Sequence, residues 1–202
     1  MSKGDINDVE KKRPVPWPRR EVQRPYREPP RLEVDITCPR VSGNWWTPNP
    51  RFVDDLAQYL QDKKVLEVFA GNGYLAGQLA KRGVSVTATT VFAGHDGHEH
   101  GLYHDVQAME AVDAVCEYRD THDVLLMAWP TVTRAAAVAA AVWGSQKDIV
   151  FIGERTIKEE KIFGGCADDE FHEYFVILRT FDSYTGNMIE SAAVGRMLAQ
   201  IV

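Results

Sequence analysis

The sequence predicts an α/β domain on a mostly parallel, doubly wound sheet, and three observations lead there. The first is the stretch at residues 64–90, K-V-L-E-V-F-A-G-N-G-Y-L-A-G-Q-L-A-K-R-G-V-S-V-T-A-T-T. Residues 65–69 form an apolar run interrupted only by Glu67, as a buried strand requires. The tight turn Ala70-Gly71-Asn72-Gly73 follows, residues 74–82 have a helical pattern, Gly83 stops them, and 84–90 is strand-like again. Strand, glycine turn, helix, strand is the first half of a Rossmann-like unit. The second observation is the return of apolar runs at 123–129 and 148–154, which read as buried parallel strands. The third is the proline distribution: nine of the ten prolines lie at or before Pro50, so the regular structure follows an extended front segment.

That front segment, residues 1–40, reads as a Pro-rich, mildly basic arm ahead of a domain at 41–202. It holds ten Lys or Arg against seven Asp or Glu, net +3, whereas the remainder holds 13 against 22, net −9. The arm is a solvated tail or a strap lying on the domain, and Trp17 and Tyr26 favour docking of some part. Residues 50–61 are helical, with Phe52, Leu56 and Leu60 on one face. A short third strand is expected to end at Tyr103-His104-Asp105-Val106. A helix at 107–118 follows, with Met109, Val112, Val115 and Cys116 on its apolar face. The alanine-rich stretch 131–143 suits a helix lying close to a sheet. A further helix at 168–176 opens on acids, as the helix dipole favours. The remainder from 178 supplies the last strands, one of them antiparallel, with 190–200 also open to a helix.

Composition narrows the function classes. The hydrophobic fraction of 45% and the charged fraction of 26% are those of an ordinary globular domain. No run approaches a membrane span and the front has no apolar signal core, so a cytoplasmic setting is expected. Cys38, Cys116 and Cys166 form neither a metal spacing nor a disulfide framework. The acidic body disfavours a broad nucleic-acid surface; a small-molecule or protein partner fits it better.

The glycine turn is suited to a nucleotide-like cofactor, and the acids decide which. Gly71-x-Gly73-x-x-Ala76 fits a relaxed dinucleotide pattern, but that reading needs an acid at the end of the second strand. Thr87, Ala88, Thr89 and Thr90 stand there instead. The acid lies inside the first strand, at Glu67, where it suits an ammonium group and would repel a pyrophosphate. Glu67-x-x-x-Gly71-x-Gly73 resembles the first motif of the class I S-adenosylmethionine (SAM) methyltransferases. That resemblance covers about residues 42–180 and implies a set of roles. Glu67 would meet the amino-acid end of SAM, and Ala70, Gly71, Asn72 and Gly73 would wrap it. Asp105, with Val106, would pair with the adenine amino group. Ala128-Trp129-Pro130 would border the methyl group. Trp45-Trp46-Thr47-Pro48 is similar to an aromatic-Thr-Pro element found before the first strand in some DNA and RNA methyltransferases, which brings Thr47 to the cofactor. Two departures stand out. Thr89 or Thr90 replaces the usual ribose-binding acid, and Ala128-Trp129-Pro130-Thr131 lacks the side-chain acceptor of base N-methylating enzymes.

A second constellation lies between the second and third strands: His95, Asp96, His98, Glu99, His100, His104 and Asp105, with three glycines among them. In a doubly wound sheet this connection lies near the ligand-binding edge. Its imidazoles can accept a substrate proton, hold a metal, or simply face water. His95 and His98, with Trp129 and Glu154 at strand ends, are the candidate catalytic residues. Beside a SAM-dependent methyltransferase stand a non-catalytic SAM sensor, a metal-dependent protein built on the histidine loop, and a nicotinamide oxidoreductase.

Overall fold

A computed structural model describes residues 28–92 and 97–198. The first helix, α1 (Pro50–Tyr59), starts where Asn49 caps it: the Asn49 side chain accepts from the Phe52 N–H at 2.8 Å, and Pro50 occupies the first turn. Then come β1 (Lys64–Val68), α2 (Tyr74–Ala80), β2 (Ser85–Thr90), β3 (Val106–Ala108), α3 (Ala111–Tyr118) and β4 (Val124–Ala128). The chain continues through α4 (Ala135–Trp143), β5 (Asp148–Glu154), α5 (Asp169–Tyr174), β6 (Phe175–Thr180) and β7 (Glu190–Met197). The seven strands form one sheet in the order β3-β2-β1-β4-β5-β7-β6. Strands β1 to β5 are parallel, and β7 runs antiparallel between β5 and β6. This order, with the reversed last strand slotted beside the fifth, is the Rossmann-like class I methyltransferase fold.

Strand alternation sorts the core into two layers. Val65, Val124, Leu126, Val150 and Ile152 face α1 and α2, and join Phe52, Leu56, Leu75 and Leu79. Leu66, Val68, Leu125, Met127, Ile149 and Phe151 face α3, α4 and α5, and join Val115, the α4 alanines, Trp143 and Phe171. Glu67 shares the α2 face of β1 with Val65, which sends a carboxylate into an apolar layer.

Three expectations about elements need correction. The third strand is Val106–Ala108, beginning where the sequence pattern ended it, and the helix after it starts at Ala111 instead of 107. Residues 190–200 are not helical where described; Glu190–Met197 is the antiparallel strand, held by Ala192 and Val194 in the core. The alanine-rich helix begins at Ala135, after a turn at 131–134.

Among the described residues, no α-helix lies between β2 and β3; only a short 3₁₀ turn at His98–His100 does. Part of the arm lies against α2 in that region. Leu32 N–H donates to Leu102 O, and Leu102 N–H to Pro30 O. Further along, Gln78 Nε2 donates to Asp35 O, Tyr74 Oη to Pro39 O, and Arg82 Nη2 to Ile36 O. Gly77 permits this approach: a Cβ there would stand 2.7 Å from Tyr103 O and 2.7 Å from Val34 Cγ2. No helix among the described residues is long and apolar enough to cross a membrane.

Candidate functional site

The C-terminal ends of β1, β2, β3 and β4 open onto a cleft of about 1020 Å³, part of it open to solvent. Glu67, Phe69, Ala70 and Gly71 line it from β1 and its turn, Thr90 and Val91 from β2, and Met109 and Glu110 from the end of β3. Ala128 and Trp129 line it at the end of β4, and Gly43, Asn44, Trp45 and Trp46, from the segment between the arm and α1, form its other wall. Such a crevice outside the strand ends is where open α/β sheets bind ligands.

Glu67 is 2% exposed, and its Oε2 has no hydrogen-bond partner among the described residues. Burial pushes its carboxyl group up to about 8, while the Ala76 N–H, one of the free donors in the first turn of α2, pulls it down. A carboxyl group in this state lacks a cation. The charged residues of the described lining are Glu67 and Glu110, both acids; no Lys, Arg or His is among them.

Two aromatic residues at adjacent strand ends hold left-handed backbones: Phe69 at φ 61° and Trp129 at φ 52°. Bulky residues rarely adopt this conformation, and strain of this kind concentrates at ligand sites. Trp129 is anchored by its N–H to Ile152 O at 2.7 Å, and its indole Nε1 is buried without a partner among the described residues.

The turn after β1 divides its duties. Ala70 and Gly71 face the cleft, and Gly71 has φ 53°. Asn72 and Gly73 do not line it. The Asn72 side chain donates to Ser42 O at 3.1 Å and accepts from Tyr74 N–H, fixing the chain just before residues 43–46. The space beside Gly73 is filled from behind: a Cβ there would stand 2.6 Å from Val106 Cγ2 and 3.1 Å from His104 Cβ. Gly73 and Val106 therefore meet each other, outside the cleft lining.

Other expected site residues also stand apart from the cleft lining. Asp105 precedes β3 and lies at its N-terminal end, 81% exposed, paired with Arg31 at 2.6 Å. Glu110, beyond the C-terminal end of β3, lines the cleft. Thr89 is buried with its hydroxyl on Glu67 O, and Thr90 is the threonine that lines the cleft. Thr47 is exposed and outside the lining. Glu154 accepts from the Gly165 N–H at 2.6 Å, which ties down the loop after β5. His98 lies tilted beside Phe92, with ring centroids 5.0 Å apart, outside the lining, and His104 Nε2 is bonded to Val86 O. His95 lies outside the described residues. No group of three His, Cys, Asp or Glu among the described residues is placed to hold a metal.

The sequence reading missed Phe69, Tyr74, Met109, Glu110, Gly43 and Asn44. The signal for Glu110 was present but displaced: it is the first acid beyond the true end of β3.

Comparison with protein-family models and with curated protein sequences finds no match. Solved structures are similar in fold. A variant of MtNAS in complex with S-adenosylmethionine is 13% identical at a TM-score of 0.48, covering 73% of this chain and 62% of its own. Magnesium protoporphyrin IX methyltransferase from Synechocystis, with bound S-adenosylhomocysteine (SAH), is 13% identical at 0.44, covering 72% and 82%. A protein from the conversion of a disulfide bond into a thioacetal group during echinomycin biosynthesis is 17% identical at 0.47, covering 82% and 84%. The chain spans 62% of that MtNAS chain and 54% of the methyltransferase SibL. The fold assignment rests on the strand order described above.

Proposed function

We propose that this protein binds SAM in the cleft and transfers its methyl group to a small-molecule or protein acceptor. One observation carries the reading: a buried carboxyl group, Glu67, has an oxygen left without a partner beside a glycine turn, in a cleft whose described charged residues are all acidic. An ammonium group satisfies that oxygen and draws the carboxyl group into its charged form, whereas a pyrophosphate would find no Lys, Arg or His in the described lining. This favours SAM over a nicotinamide dinucleotide.

In this reading Glu67 holds the methionine ammonium, and Ala70 and Gly71 let the backbone come close. The Thr90 hydroxyl takes a ribose hydroxyl, and Met109 and Glu110 take the adenine end. SAM supplies a methyl group made electrophilic by its sulfonium. Ala128 and Trp129 border the place where the acceptor must lie, and Trp45 and Trp46 exclude water from it. His95 is the proposed proton acceptor from the substrate; His98, with its Nδ1 buried and its ring outside the cleft lining, does not reach that place.

Calorimetric titration with SAM, SAH and NAD tests this. SAM and SAH are expected to bind at one site at micromolar levels, with NAD undetected. NAD binding without SAM binding would overturn the proposal. SAM binding without methyl transfer to small-molecule and protein pools would leave only the sensor.

A further inference from the structure

The cleft lining has an aromatic portion. Trp45, Trp46 and Trp129 line it together with Thr131 and Thr133. Trp46 is set by Phe52 and Tyr184, with ring centroids at 6.1 and 6.0 Å. Trp129 is set by its backbone bond to Ile152 and by Ala167 N–H on Pro130 O at 3.2 Å. Its Nε1–H is buried and meets no acceptor among the described residues. A buried donor of this kind is satisfied by a ligand that brings an oxygen or nitrogen lone pair. Indole faces favour flat rings, and a described lining without Lys, Arg or His offers no cation to phosphate or carboxylate groups.

We infer that this region takes a planar, uncharged heteroaromatic methyl acceptor whose carbonyl oxygen or ring nitrogen receives the Trp129 Nε1–H. The inference rests on the methyltransferase reading and names its substrate class. In the transfer, a lone pair of the acceptor forms the bond to the methyl carbon as the carbon–sulfur bond breaks. The electron pair of that bond stays on sulfur, SAH leaves as a neutral thioether, and the positive charge departs with the product, as a methylated cation or a released proton. Trp129 does not exchange a proton; it selects and orients the ring.

The test uses the full chain saturated with SAH and reads affinity by calorimetry. The probes are nicotinamide and 4-quinolone, with naphthalene as a ring without an acceptor atom and nicotinic acid as a carboxylate-bearing match of nicotinamide. At least one of the first two is expected to bind. Nicotinic acid should bind roughly tenfold more weakly than nicotinamide. Trp129→Phe, which keeps an aromatic ring and loses the N–H, should weaken the bound probe about fivefold. The same substitution should leave any naphthalene binding unchanged and SAH affinity within about threefold. Failure of both probes on the SAH-loaded protein would overturn the inference and leave the SAM reading standing. So would equal affinity of the bound probe for Trp129→Phe, or tighter binding of nicotinic acid than of nicotinamide. Failure of SAH itself to bind would overturn both.

Discussion

The cleft has two walls of different origin. One is made by strand ends: Glu67, Phe69, Thr90, Met109, Ala128 and Trp129. Their places follow from a parallel ladder in which Val68 stands level with Thr89 and with Met127. The other wall, residues 43–46, belongs to no element. It hangs from α2 and the turn before it by side-chain bonds to the backbone of residues 35–42, Asn72 to Ser42 O, Tyr74 to Pro39 O and Gln78 to Asp35 O, each joining residues 30 or more positions apart. Local pattern fixes the first wall, and long-range contacts fix the second. Damage to the strand wall should therefore remove binding from a folded protein. Damage to the arm wall should cost stability first and binding through it.

Gly71→Val strikes the strand wall and carries the largest expected effect. Valine must adopt a positive φ at the point where the backbone faces the cleft. Strain of roughly 1–2 kcal/mol and a branched side chain in the ligand's path should lower SAM affinity by more than about 100-fold. The far-ultraviolet circular dichroism should stay native. Unchanged affinity in calorimetry would put the ligand elsewhere.

Gly77→Ala strikes the arm wall. Helix propensity alone predicts a gain of up to about 1 kcal/mol. The 2.7 Å approaches to Tyr103 O and Val34 predict a loss instead, because a backbone oxygen must move. Thermal unfolding should show a lower Tm and SAM affinity should fall less than in Gly71→Val. A raised Tm would mean that the arm does not pack on α2.

Asp105→Asn is the control between the walls. Its carboxylate is exposed and paired with Arg31, an arrangement worth about 0–1 kcal/mol. SAM affinity should stay within about twofold. A large loss would restore Asp105 to the adenine end of the site and remove Glu110 from it.

The same contrast explains what the sequence made legible. The fifth strand was readable to the residue because Asp148–Glu154 is buried through its middle and bounded by polar ends. The third strand was not, because Val106–Ala108 buries one residue of three and leaves no pattern. That offset of a few residues leaves Asp105 outside the cleft lining and Glu110 within it. The glycine motif located the turn but not its division of labour: Gly73 is small for the sake of Val106 and His104, a packing partner some 30 residues away that spacing cannot show. The arm wall was least visible. Trp45 and Trp46 were noticeable as residues, but Gly43 and Asn44 reach the cleft only because Asn72 holds Ser42.

The central claim is that Glu67 receives a cation in this cleft, and proton release on binding tests it most directly. With its carboxyl group near 8 in the free protein, Glu67 is mostly protonated at pH 7. The sign for stability follows: folding keeps a proton that the unfolded chain releases above about 4.5. The contribution is therefore full below that pH and lost as pH rises through 8, at a slope of at most about 1.4 kcal/mol per unit. An ammonium beside the carboxyl group favours the charged form, so SAM binding at pH 7 should expel nearly one proton, and affinity should rise with pH up to about 8. Calorimetric titration of SAM in two buffers of different ionisation enthalpy measures that proton. The wild-type protein should release close to one. Glu67→Gln should release none and bind about 10–100-fold more weakly. Equal proton release and equal affinity in the two proteins would contradict the account.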